Sequence, residues 1–246
     1  MTLTPELFVI VPLVVFTAYF VYGLSGFGSA LVNVSILAHF LPLTIVVPAS
    51  LLLDFSASAM VGFRFHRDAQ WRELLLVGPF ALIGMLAGVL LLINLPREQA
   101  LLGLGVLVGF YGAYTLVRPH RLTVIRRIWA VPMSLVGGAL SGLFGTGGPV
   151  FVIYLSRRIL EPLRLKATLA ALLSFQGATR IVAYLITGLL LQPEVLIGAL
   201  ALFPVMWIAL RMGVQLHARL SRDRVVQVMS AVLLATGVTL VLRAMS

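Results

Sequence analysis

The sequence contains no cysteine and few charged residues, and each shortage excludes a class of protein. Without cysteine among its 246 residues, the chain forms no disulfide, thiolate metal site or cysteine nucleophile. Only 11% of the residues are charged, whereas a soluble domain averages about 25%. Hydrophobic residues make up 61% of the chain, more than a water-soluble fold of this size could bury. Soluble enzymes, nucleic-acid-binding modules and disordered tails are therefore excluded.

The apolar residues instead suit a lipid bilayer. One transmembrane helix needs about 20 apolar residues, so the chain has material for about six to eight of them. The sequence predicts an all-α polytopic membrane protein. The net charge of +10 then reflects topology rather than nucleic-acid binding, because basic residues collect in the cytoplasmic loops of membrane proteins.

Two long apolar blocks are interrupted by short stretches rich in glycine and serine. The first block covers 7–41 and is broken at 23–29; the second covers 129–156 and is broken at 141–149. The uninterrupted spans that we predict are 43–63, 74–94, 99–117, 167–189, 195–210 and 225–242.

The two interrupted blocks also indicate a duplication. The Ser-Gly pairs at residues 25–26 and 141–142 are 116 residues apart, and later residues repeat at an offset of 125. We predict two repeats, 7–118 and 129–243, within a single membrane domain; internal duplication is typical of secondary transporters. The later pairs are Gly88 with Gly213, Leu95 with Leu220, Arg97 with Arg222, and Gly112 with Gly237.

The basic residues predict the topology. Fifteen of the eighteen lie in four clusters, at 64–72, 118–127, 157–166 and 211–224, which we expect to be cytoplasmic. The block 129–156 then enters and leaves on one side, and it is too short for two spans of about 20 residues each. We predict a re-entrant helical hairpin there, a second hairpin of opposite orientation at 7–41, and both termini in the periplasm. An eight-span alternative with a cytoplasmic N-terminus would place the last two basic clusters outside.

The two breaks are the first candidate binding site. Irregular backbone at membrane depth is tolerated only where it is buried in protein or lines a wet cavity. We predict that Thr146 and Ser29 cap the half-helices that follow, whose N-termini would attract an anion; close helix packing by the glycines is the alternative. The candidate substrate-binding residues here are Ser25, Gly26, Gly28 and Ser29 in the first break, and Gly145, Thr146, Gly147 and Gly148 in the second.

Two charged residues stand inside predicted spans. Arg180 is costly in a membrane and presents a fork of donors that matches an oxyanion, so we predict substrate contact; pairing with a carboxylate or snorkelling is the alternative. Asp54 could form an ion pair with Arg180 or carry a coupling proton, and the sequence leaves both open. Asn33 and Gln176 complete the candidate binding residues as uncharged polar groups.

A serine hydrolase is a weaker interpretation of the first break. The sequence Gly-Leu-Ser-Gly ending at Gly26 is similar to the pattern of rhomboid-type intramembrane proteases. Such an enzyme needs a histidine base near its serine, and the four histidines lie in basic loops or, for His39, at the edge of the first block. We predict no catalytic residue, no metal site and no cofactor.

With these features the sequence resembles the sulfite exporter TauE/SafE family. The resemblance is carried by the paired breaks, by the run Ile83–Gly88 before Leu95-Pro96, and by Gly213, Leu220 and Gly237. It implies transport of a small sulfur-containing anion, such as sulfite or an organosulfonate, across the bacterial inner membrane. One departure is that Gly28-Ser29 lacks the double glycine of residues 147–148.

The functional prediction is a secondary transporter of a small anion that works by alternating access. Its expected partners are the anionic substrate, the lipid bilayer and a coupling ion, H⁺ or Na⁺, with no nucleic acid. An anion channel is the alternative, followed by the intramembrane hydrolase.

Overall fold

The computed structural model describes residues 7–117, 125–216, 233–242 and 244, and these form only helices, turns and bends. The all-α prediction is therefore confirmed, and the described residues contain no strand. The ten α-helices of this part are α1 (Leu7–Ser25), α2 (Ser29–Leu37), α3 (Leu43–Phe65), α4 (Trp71–Asn94), α5 (Arg97–Val117), α6 (Ala130–Phe144), α7 (Gly148–Ser156), α8 (Pro162–Ile186), α9 (Pro193–Leu216) and α10 (Leu233–Leu242).

Six helical stretches are long and apolar enough to cross a membrane. They lie in α1, α3, α4, α8 and α9, and over 127–144 in and just before α6. The spans predicted at 43–63, 74–94 and 99–117 coincide with α3, α4 and α5 to within three residues.

Some predicted ends of the later spans differ from the observed ones, and one lies outside the described residues. Helix α8 stops at Ile186, before the predicted end at 189, because Gly188 takes the left-handed conformation with φ of 76°. Helix α9 ends at Leu216, six residues beyond the predicted end, and therefore includes Arg211. Of the predicted span 225–242, residues 225–232 lie outside the described part of the chain.

Each interrupted block folds back on itself. In the second block, a Cβ added to Gly137 would lie 2.8 Å from the ring of Phe151, so α7 packs back along α6. In the first block, Tyr19 of α1 and Asn33 of α2 both reach Ser50 of α3. Both blocks therefore have the backbone path of a broken helical hairpin.

Backbone-to-backbone contacts hold each hairpin against a distant helix. A Cβ added to Gly84 or Gly88 of α4 would collide with the carbonyl oxygens of Leu135 or Ala139 in α6. Helices α1 and α9 meet in the same way, since a Cβ on Gly213 would collide with the carbonyl oxygen of Phe20. Gly88 and Gly213, which the sequence offset pairs, thus contact the first helix of the second and the first hairpin, respectively.

Candidate functional site

The second break is a compact helix end followed at once by a new helix. Gly145 lies in the left-handed region with φ of 76°, which glycine adopts without steric cost. Its N–H donates to the carbonyl of Ser141 (2.9 Å), and the N–H of Thr146 donates to Leu140 (3.2 Å). These bonds satisfy carbonyls in the last turn of α6, and the bond from Gly145 to Ser141 is that of the αL C-cap motif.

The predicted N-caps are wrong by one residue. Gly147, not Thr146, is the N-cap of α7, and Gly28, not Ser29, is the N-cap of α2; neither makes a side-chain capping bond. Gly28 has φ of 94°, outside the β-region conformation that a Ser or Asp cap adopts. Ser29 therefore becomes the first residue of α2, and its hydroxyl is available for another partner.

The two breaks meet. A Cβ added to Gly145 would lie 3.5 Å from the Cβ of Ala30, and one added to Gly148 would lie 3.6 Å from the Cβ of Phe27. Between them is a cavity of about 40 Å³, more than the about 10–15 Å³ that one water needs. Its walls come from α1 to α3, α7, α8 and both breaks: Tyr22, Phe27, Gly28, Ser29, Ala30, Leu31, Leu51, Asp54, Phe55, Ser58, Gly145, Thr146, Gly148, Pro149, Leu173 and Gly177.

Arg180 lies directly behind the second break. It is buried, and one guanidinium nitrogen, Nη1, donates to the carbonyl of Ser141. The same nitrogen would lie 3.3 Å from a Cβ on Gly145, so the guanidinium packs against a residue that lines the cavity. Tyr184, one turn further along α8, donates to the carbonyl of Gly142 at 3.0 Å. The positive charge thus faces the C-terminal end of α6, where the helix dipole is negative.

Asp54 lines the cavity and is held by hydroxyl groups. Its Oδ1 accepts a hydrogen bond from Ser29 Oγ (2.6 Å) and one from Tyr19 OH (2.8 Å). The ion pairs of the described residues do not include one between Asp54 and Arg180. The two charges act on each other only at longer range.

The uncharged candidates lie near the cavity but are not part of its wall. Asn33 Nδ2 donates to Ser50 Oγ at 2.6 Å, and Gln176 Oε1 accepts from Ser141 Oγ at 2.9 Å. Gly147 packs against Gly137 and Ser141. The remaining candidates are Gly26, which has φ of 82°, and Ser25, which ends α1 and whose side chain lies outside the described part.

Several buried polar atoms near the breaks have no hydrogen-bond partner. Buried polar groups in native proteins are nearly always paired, so such atoms point to an absent partner. Those beside the second break belong to Thr146 (Oγ1), Gln176 (Nε2) and Arg180 (Nε); those nearer the first belong to Tyr22 (OH) and Asn33 (Oδ1).

Sequence reasoning missed three contributors. Tyr19 and Tyr22 are aromatic residues in an apolar helix, and nothing in the pattern separates them from core residues. Lys166, counted among the loop charges, is half-buried in α8; its Nζ donates to the carbonyl of Gly23 at 3.4 Å and its stem packs on Gly26. The one feature of the sequence that could have marked this residue is that it is the single lysine among eighteen basic residues.

A separate buried cluster anchors the far end of the second hairpin. Glu73 of α4 accepts from Tyr154 OH (3.1 Å) and pairs with Arg158 (3.2 Å) and Arg127 (3.4 Å). The far end of the first hairpin has a smaller contact, between His39 Nε2 and Thr239 Oγ1 at 3.0 Å. No group of three or more His, Asp or Glu residues that could hold a metal occurs in the part of the chain that the structure describes.

The fold and the cavity define a multi-pass membrane protein in which two broken helical hairpins meet at a small cavity lined by both polar and apolar residues. Broken helices that meet in the interior are typical of secondary transporters. Comparison with known proteins supplies the family: the model of the family "Sulfite exporter TauE/SafE" matches residues 11–240, so the chain belongs to this family and is a membrane transporter.

One curated relative bears on the same point. The "Probable inner membrane transporter protein TsaS" of Comamonas testosteroni is 24% identical over 192 residues, which cover 77% of this chain and 80% of the relative. No solved structure matches the chain.

Proposed function

We propose that this protein carries a small anion, a sulfur oxyanion or an organosulfonate such as sulfite, across the bacterial inner membrane. The observation that carries the proposal is that the two breaks meet at one cavity, with Ala30 against Gly145 and Phe27 against Gly148. The N-termini of two nine-residue helices, α2 and α7, therefore adjoin the same space. Helix N-termini favour anions through their free N–H groups and their partial positive charge.

The second break adds side-chain donors for an oxyanion. Thr146 Oγ1 and Gln176 Nε2 are buried without partners, and Arg180 still has an unpaired Nε. A fixed guanidinium and neutral donors are the groups that proteins use for sulfate-like oxygen clusters. The family description and the relative named as an inner membrane transporter support the same substrate class and location.

Alternating access in a fold of two inverted repeats, 7–118 and 129–243, is the mechanism we propose. Gly88 and Gly213, equivalent under the repeat offset, make equivalent backbone contacts with α6 and α1, which supports the duplication. The distribution of basic residues supports a topology with both termini in the periplasm. A coupling ion, H⁺ or Na⁺, belongs to the proposal.

The test is counterflow of labelled sulfite, sulfate, thiosulfate and ethanesulfonate in proteoliposomes. A carrier exchanges label against unlabelled anion, whereas a channel conducts without counterflow. Arg180→Gln should lose about 10- to 100-fold of the exchange rate, the value of one hydrogen bond to a charged group, and Arg180→Lys should keep part of it.

Arg211→Gln is the matched control, because Arg211 is an exposed cation that lies over the Trp207 ring (3.8 Å) on α9, whereas Arg180 is buried behind the second break. Normal exchange by a folded Arg180→Gln protein would exclude the role proposed for Arg180. Absence of counterflow with every anion would contradict the carrier itself.

A further inference from the structure

The first break already holds an anion of the protein's own. Asp54 Oδ1 accepts a hydrogen bond from the hydroxyl of Ser29, the first residue of α2, and Asp54 lines the same cavity. The carboxylate therefore stands at the helix N-terminus where a bound anion would otherwise be favoured.

The second break lacks such a carboxylate. In α8, Gln176 stands near the sequence position that corresponds to Asp54, and it is neutral. It accepts a hydrogen bond from Ser141 Oγ, while its own Nε2 and the hydroxyl of Thr146 are buried without partners. One break thus contains an acid that accepts two hydrogen bonds, and the other contains donors that need an acceptor.

An ionised Asp54 and a bound anion would share one small cavity. Thr146 and Asp54 both belong to the wall of a space of about 40 Å³. Like charges that share a poorly solvated site raise each other's energy, and such pairs take up a proton rather than remain doubly ionised.

From this geometry we propose that Asp54 is the proton carrier of the transporter: the anion binds at the second break together with a proton on Asp54, and both move in the same direction. The inference rests on the proposed anion transport. Because both existing hydrogen bonds end on Oδ1, the added proton goes to Oδ2 and converts the carboxyl group from a repelling charge into a donor.

The groups that face Asp54 leave it as the one that changes charge near neutral pH. Helix α1 contributes Tyr19 and Tyr22, and α8 contributes Arg180. Tyrosine is ordinarily neutral below about pH 10 and arginine is always charged. Helix α2 has no titratable residue, and the charged residues of α9, Glu194 and Arg211, lie near its ends.

A proton fits the surroundings of Asp54 better than Na⁺ does. Sodium in transporters is bound by oxygen lone pairs, often backbone carbonyls at a broken helix. Around Oδ1, Ser29 and Tyr19 present hydroxyl hydrogens, because both donate to it.

The experiment is calorimetric titration of the purified protein with thiosulfate and with ethanesulfonate, whose charges stay constant between about pH 5.5 and about pH 8. Buffers of different ionisation enthalpy report the protons taken up per anion bound. In the wild type we expect one proton per anion, and affinity that falls up to about tenfold per pH unit in the upper part of the range, since only the protonated fraction binds. Asp54→Asn should bind both anions with pH-independent affinity and take up no proton.

Transport provides the second readout. In proteoliposomes a pH gradient should drive accumulation of labelled thiosulfate by the wild type, whereas Asp54→Asn should exchange label without accumulating it. Asp68→Asn, in the 3₁₀ turn after α3 and outside the cavity wall, is the matched control and should behave as the wild type. If Asp54→Asn does not fold, Tyr19→Phe replaces it: loss of one donor disfavours the ionised carboxylate, so anion binding should persist to higher pH.

Three results would overturn the inference, and they differ in whether they also contradict the proposed function. Anion binding by the wild type without proton uptake, or a Tyr19→Phe protein with an unchanged pH profile, would exclude proton carriage by Asp54 and leave the anion site intact. No binding of either anion at any pH would contradict the proposed function together with the inference.

Discussion

The first and second breaks share a backbone design and differ in the charge beside it. Each break follows a helix of 15 to 19 residues, contains glycine at positive φ and precedes a nine-residue helix. In each, a cation of α8 donates to a carbonyl near the end of the helix before the break. At the first break that cation is Lys166 and an acid, Asp54, faces Ser29; at the second it is Arg180, and the buried hydroxyl of Thr146 has no hydrogen-bond partner. This difference is the basis for the proposal that the first break serves a proton and the second an anion.

The largest expected effect concerns the anchors at the far ends of the hairpins. Glu73→Gln should lower the free energy of unfolding by about 3–5 kcal/mol, because it leaves the buried end of Arg158 without its counter-charge. Thr239→Val, at the first hairpin, removes one hydrogen bond to His39 and should cost about 1 kcal/mol. Thermal melting in detergent, followed by tryptophan fluorescence, measures both.

Equal melting temperatures for these two variants would contradict the asymmetry of the anchors. Arg127 is exposed, so Arg127→Gln is a control that should fall between them or near the wild type.

The next largest effect comes from removing one hydroxyl group at each break, that of Thr146 or that of Ser29. Thr146→Val should leave stability unchanged or raised, since the hydroxyl it removes is buried without a partner. It should weaken anion binding about tenfold, because that hydroxyl is available to the substrate. Ser29→Ala should instead lower stability by about 1–2 kcal/mol by removing a hydrogen bond to a carboxylate.

Binding titration and melting on the same samples check this pair. A Thr146→Val protein that binds thiosulfate as tightly as the wild type would place the anion elsewhere.

The smallest effect concerns the two cations. Lys166→Met keeps the aliphatic stem on Gly26 and removes a charge at the end of α1, so stability should fall by about 0.5–1 kcal/mol. Anion exchange should stay within a few-fold of the wild-type rate, in contrast to Arg180→Gln. Counterflow rates in parallel with melting temperatures measure this, and a loss of exchange as large as that of Arg180→Gln would make the two breaks functionally alike.

The sequence predicted the elements of the site better than its contacts. Glycine runs inside apolar blocks have few explanations at membrane depth, so the breaks at 26–28 and 145–147 could be located. Arg180 and Asp54 were conspicuous because charge is rare inside a span. Whether the two side chains pair directly or act separately depends on the rotation of their helices, which short-range patterns do not encode. In the structure Asp54 accepts hydrogen bonds from Ser29 and Tyr19.

Other features could not be predicted, for physical reasons. The N-cap positions depend on whether the backbone at 28 and 147 leaves the β region, and glycine permits several conformations there. Tyr19 reaches Asp54 only because α1 and α3 pack together across 35 residues of sequence. No residue pattern within α1 marks one of its apolar neighbours for that role.

The contact between α4 and α6 has a mechanical consequence. At Gly84, Gly88, Gly138 and Gly142 the two main chains touch with no layer of side chains between them, so there are no rotamers whose change would let one helix slide along the other. The α4–α6 contact therefore resists sliding of one helix along the other, and the α1–α9 contact does so likewise. Any hinge then falls at the glycine elbows or the short connecting loops, and the rigid pieces each join a hairpin from one half of the chain to a helix from the other half.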